Sequence, residues 1–70
     1  MMPLALADLN EEFVIKKISG NQDIKLHLEN LGFVVGGRIT IMNSLAGNLI
    51  VDVKGSRVAL SDELARKIMI

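Results

Sequence analysis

A chain of 70 residues whose eight Lys and Arg balance eight Asp and Glu has a formal net charge of zero and length for one domain, residues 1–70. That balance disfavours nucleic-acid binding, which calls for a basic excess or a basic face against phosphates, and the lack of Cys removes disulfides and thiolate chemistry. Half of the residues are apolar but only Phe13 and Phe33 are aromatic, so a chain short enough to bury only about 60% of its unfolded surface must build a dense core from Leu, Ile, Val and Met.

Leu4, Leu6 and Leu9 after Pro3 read as a short helical or turn-like segment, followed by the polar run Asn10-Glu11-Glu12. Phe13 to Ser19 reads as a first strand whose alternation fails: Phe13 and Ile15 share one face and Ile18 falls on the other. A bulge near Lys16-Lys17 returns Ile15 and Ile18 to the same side. Gly20 breaks the chain, and Asn21 can cap a helix by accepting an unpaired N–H of the first turn. Ile24, Leu28 and Leu31 then form one stripe of an α-helix over about residues 22–31, with Leu26 on the opposite side.

Gly32 stops that helix where a left-handed residue is commonly needed, and Phe33 can pack back on its last turn. Gly36-Gly37 turns the chain into a strand over Arg38 to Ser44, with Ile39 and Ile41 alternating with Arg38, Thr40 and Met42. Ala46-Gly47-Asn48 is turn chemistry leading into Leu49 to Val53, with Leu49, Val51 and Val53 inward and Ile50, Asp52 and Lys54 outward. Gly55-Ser56 connects to Arg57 to Leu60, where Val58 and Leu60 point inward. Ser61-Asp62-Glu63 starts a short helical turn over about residues 62–66, with acidic residues at its positive end and Arg66-Lys67 at the other. Ile68 to Ile70 closes the chain as a strand paired with the sheet. The class is mainly β, an antiparallel meander, and closure into a small barrel would remove most exposed edges.

Little here can do chemistry. His27 is the sole histidine, and Asp23 one helical turn away is its best partner for a weakly held cation. A metal centre uses about three or four side-chain ligands, so the expectation is no resident metal or other cofactor. Ser19, Ser44, Ser56 and Ser61 all fall at element boundaries, where capping explains them, and Glu11 and Glu12 diverge in an extended segment. Gly36-Gly37 leads into a strand, whereas a phosphate cradle leads into a helix N-terminus. The chain therefore reads as no enzyme. What remains is apolar surface: Leu45, Met42, Ile50, Leu26 and Val34 are the candidate partner-binding residues, with Val35 beside them, and Leu45 stands out because it flanks a hairpin tip.

No apolar run approaches the roughly 18 residues of a membrane span, and Met1 to Ala7 has no positive segment ahead of its apolar residues. A cytoplasmic protein with no direct membrane insertion is expected.

The order of these motifs resembles the FeoA family of small ferrous iron transport proteins over essentially the whole chain. The matching pieces are Leu4 to Leu9, Ile15 with Ile18 and Gly20, Leu28 followed by LGFVVGGRITI, the hairpin, and VALSDELARKIMI. Within them, Leu31-Gly32-Phe33, Gly36, Val58-Ala59-Leu60, Ala65, Ile68 and Ile70 occupy the family's positions, while Val35 stands where the family usually has Pro. Asn10-Glu11 replaces a glycine that often precedes the first strand. The resemblance implies an SH3-like barrel with one inserted helix and a non-enzymatic cytosolic role in ferrous iron uptake, by docking on the membrane transporter FeoB. It implies no catalytic residues. The chain is also similar to the C-terminal SH3-like domain of DtxR-type metal-dependent repressors, which implies as the alternative a weak ferrous-iron-binding or sensing module. Its 70 residues leave no room for those repressors' DNA-binding and dimerisation domains.

Overall fold

The alternation that fails between Ile15 and Ile18 marks the place where the chain leaves one sheet for another. In the computed structural model, which describes all 70 residues, β1 (Glu12–Val14) pairs antiparallel with β3 (Arg38–Leu45), and β2 (Lys17–Ile18) pairs antiparallel with the C-terminal β6 (Ile68–Met69). Ile15 sits between them. Its N–H donates to the Gly37 carbonyl at 2.9 Å, and its carbonyl accepts from the Gly36 N–H at 2.8 Å. One residue later the Lys16 N–H donates to the Met69 carbonyl at 2.8 Å, although Lys17 is the ladder partner of Met69. Two residues thus face one, as at a bulge. The single strand expected over residues 13–19 is therefore two short strands, because backbone partners change from the Gly36-Gly37 segment to β6 at this point. The inward result is kept: Ile15 is fully buried and Ile18 packs half-buried on the same core.

β3, β4 (Asn48–Val53) and β5 (Ser56–Ser61) form the meander, giving a four-stranded sheet in the order β1-β3-β4-β5. Leu45 pairs with Asn48, so Asn48 belongs to the ladder and the loop is only Ala46-Gly47. Val53 pairs with Ser56 across Lys54-Gly55 in the same way. All four loop residues have positive φ, at 53° and 83° in the first loop and 50° and 76° in the second. That is the pattern of type I′ turns, whose twist matches the flanking strands. The ladder of β3 on β4 slips between Ile41 and Asn43, leaving Met42 as the extra residue. Ile39, Ile41, Val51, Val53 and Leu60 face the core.

Helix α1 (Gln22–Asn30) begins as its sequence dictates: the Asn21 side chain accepts from the Ile24 N–H at 2.9 Å. Leu28 is buried, and Ile24 and Leu31 pack beside it. At the other end the Phe33 N–H donates to the Leu28 carbonyl and the Gly32 N–H to the Glu29 carbonyl, both at 2.9 Å, with Gly32 at φ 104°. This double closure is the Schellman arrangement, and it drives Phe33 into the core at 0% exposure. Helix α2 (Asp62–Ala65) is capped by Ser61, whose Oγ accepts from the Leu64 N–H at 3.2 Å. It packs against β4, β5 and the 3-10 turn at Leu4–Leu6. Arg66, just past its end, is held above its already high pKa by a 2.8 Å hydrogen bond to Asp62 and by that carboxylate's charge.

The chain ends meet. Met2 and Ile70 exchange two backbone hydrogen bonds of 2.9 Å, next to a bridge between Pro3 and Met69. Twelve buried residues form one aliphatic cluster, with Phe33 as its only aromatic. No helix is long and apolar enough to cross a membrane.

Candidate functional site

The candidate apolar residues divide between two ends of the four-stranded sheet. β4 starts at the Ala46-Gly47 tip and finishes at Val53, beside the helix stop: a Cβ added to Gly32 would lie 3.7 Å from the Val53 side chain. Strand residues rise about 3.3 Å each, so the tip and the helix stop stand on the order of 17 Å apart.

At the hairpin end, Leu45 is 65% exposed on the last rung before the turn. Its partner strand places Ile50 opposite Asn43. Because Ile41 and Val51 face inward and directly paired residues share a face, Ile50, Asn43 and Leu45 lie together on the outer face. Met42 is the half-buried extra residue of the bulge next to them. The rest of that face carries exposed ion pairs, Arg57 to Asp52 at 3.1 Å and Arg38 to Glu12 at 3.2 Å, which contribute little stability in open solvent.

At the other end, the run from Val34 to Gly37 makes a turn in which the Gly37 N–H donates to the Val34 carbonyl at 2.9 Å and Gly36 takes φ 87°. A positive φ at the third residue is the type II pattern, which accepts Pro at the second position, here occupied by Val35. Gly37 is needed for a different reason: a Cβ there would sit 3.0 Å from the Val34 carbonyl oxygen. The glycines after the helix therefore serve a tight return that lets Ile15 bond the turn.

Between this turn, β2 and α1 lies an open groove of about 510 Å³. Ile18, Phe33, Val34 and Val35 give it an apolar lining, Lys16, Lys17 and Lys25 border it, and Glu29 is its one carboxylate. Leu26, 57% exposed, borders a neighbouring depression that shares Lys25 and Glu29 with the groove. Lys16-Lys17 is an isolated basic pair in the sequence; the fold brings Lys25 from α1 to it. Periodicity carries no signal for that meeting, because it depends on how β2 and α1 are docked.

Asp23 and His27 are exposed one turn apart on α1, and nowhere do three or more His, Asp or Glu side chains gather as a metal-binding group.

The FeoA domain family model matches residues 2–70. A protein of Methanocaldococcus jannaschii named as an Fe(2+) transport protein A is 34% identical over 70 residues, spanning 100% of this chain and 85% of its own length. Among solved structures, an iron uptake regulatory protein FeoA aligns with a TM-score of 0.90 and 26% identity over 97% of this chain and 90% of that one. Stenotrophomonas maltophilia FeoA complexed with zinc, described as a procaryotic SH3 domain protein, aligns at 0.84 with 25% identity over 99% of this chain and 88% of its own.

Proposed function

This chain belongs to the FeoA family and has its SH3-like, mainly β fold; from that premise we propose that it is a non-enzymatic, cytoplasmic accessory protein of ferrous iron uptake that docks on the cytosolic part of an FeoB-type transporter. The observation that carries docking is Leu45, a large aliphatic side chain 65% exposed at the end of a ladder. A two-residue turn holds that ladder, so little conformational freedom remains to be lost on contact. Burying such a side chain is worth about 1.5–3 kcal/mol, and Ile50 and Met42 extend the apolar area beside it. Leu26 and Val34, at the other end, are a second contact region for a partner large enough to span both. Docking acts on the transporter by altering its assembly or nucleotide turnover.

Co-purification with detergent-solubilised FeoB is the direct test. The native chain is expected to be retained and Leu45→Glu to be lost, while Leu45→Glu keeps the native circular dichroism. Failure of the native chain to associate, in detergent and in membranes alike, sinks the proposal.

The competing reading is a weak ferrous-iron-binding or sensing module, motivated by Asp23 and His27 exposed one helical turn apart. Anaerobic titration with ferrous iron decides it. Tighter binding by the native chain than by His27→Ala favours a site, and indistinguishable curves remove it.

A further inference from the structure

We propose that the groove between β2, α1 and the Val34–Gly37 turn binds an extended acidic segment of a partner protein, seating an aliphatic side chain between carboxylates that meet Lys16, Lys17 and Lys25. The first support is where the protein spends its charge. Arg38, Arg57 and Arg66 each hold a carboxylate within 3.2 Å, and no lysine takes part in an ion pair. Lys16, Lys17 and Lys25 converge on one groove, against the single carboxylate of Glu29. Although Lys25 and Glu29 are one helical turn apart, they form no ion pair, so Lys25 remains available. In a chain of zero net charge this is a local excess of positive charge, three lysines against one carboxylate.

Shape decides which anion fits. The groove is open and about 510 Å³, within the range of roughly 300–1,000 Å³ of small-ligand pockets, and its apolar lining is Ile18, Val34 and Val35 over the buried Phe33. A flat anionic membrane meets the exposed lysines without filling the apolar recess between them, and a nucleic acid would find no aromatic side chain exposed for stacking. A peptide supplies both chemistries at once. β2 lines the groove as an edge strand whose one ladder partner is β6, which suits an extended segment laid alongside it.

The proposal rests on reading the chain as an interaction module, but not on the identity of the transporter or on the hairpin surface. It is tested by titrating the isotope-labelled full chain with a blocked hexapeptide alternating glutamate and leucine, followed by amide chemical shifts. Shifts are expected at Lys16, Lys17, Lys25, Val34 and Val35, with affinity falling as salt rises. Lys16→Glu combined with Lys17→Glu should weaken binding about tenfold, Glu29→Gln should strengthen it about twofold, and Lys54→Glu, outside the groove, should change it little. All four residues are exposed, and unchanged circular dichroism confirms that the variants fold.

Equal binding of a hexapeptide alternating lysine and leucine, shifts centred on Leu45 and Ile50, or no shifts at millimolar peptide would overturn it. So would binding to phosphatidylglycerol vesicles that the acidic peptide fails to displace. A chain that still co-purifies with FeoB but ignores the peptide refutes the groove alone, whereas peptide binding without FeoB association refutes the transporter reading alone.

Discussion

The hairpin end of the sheet and the groove end are built by opposite means. At the hairpin end, partners are near neighbours in sequence: Leu45 meets Asn48 across two residues of positive φ. At the groove end, partners come from far away. Ile15 bonds Gly36 and Gly37, Lys16 bonds Met69, and Phe33 fills the core beneath α1. The first region holds its shape through local backbone rules and the second through packing, so they should fail differently when perturbed.

The largest contrast comes from Phe33→Ala, which removes the one fully buried aromatic ring. It should cost about 3–5 kcal/mol, a large share of the roughly 5–15 kcal/mol that holds small domains folded, measured by urea denaturation. Gly37→Ala is next. The added Cβ meets a backbone oxygen at 3.0 Å, so the turn must shift, at about 1–3 kcal/mol. Hydrogen exchange should quicken at Ile15, Gly36 and Gly37 and stay unchanged at the rungs near Leu45; uniform quickening would erase the distinction between the ends.

Two changes should stabilise. Ala46 occupies left-handed backbone at φ 53°, a cost of about 1–2 kcal/mol for most side chains that Asn largely escapes. Ala46→Asn should therefore raise the melting temperature through the hairpin, by about 1 kcal/mol. Val35→Pro is the groove-end counterpart. Val35 stands second in a turn of type II pattern, and its N–H makes no backbone hydrogen bond; the gain should be about 0.4–1 kcal/mol, chiefly by restricting the unfolded chain.

The same division explains what the sequence discloses. Asn21 and Ser61 as caps, Gly32 as the helix stop, the inward faces of β4 and β5 and the two tight turns are all legible, because each depends on residues within a few positions of one another. The SH3-like fold is implied by the family resemblance that their order carries. Helix ends differ only by a residue, at Asn30 and Ala65. The division of residues 13–19 into two strands was not legible, because it is imposed by Gly37 on one side and Met69 on the other. Nor was the slip at Met42, which concerns how β3 counts against β4. Of the candidate surface, Leu45 is conspicuous in sequence, whereas the meeting of Lys25 with Lys16 and Lys17 needs three-dimensional docking to appear.

The ribbon of β2 on β6 has a kinetic consequence. Joining residues 17–18 to 68–69 closes a loop of about 50 residues, and closure entropy must be met before that contact returns anything. The meander can assemble early around its tight turns, leaving this ribbon and the Met2–Ile70 contact beyond it to zip last and open first. Lys16 to Ile18 form one wall of the groove, so an occupant there would slow the first step of unfolding and leave the rate of meander assembly unchanged.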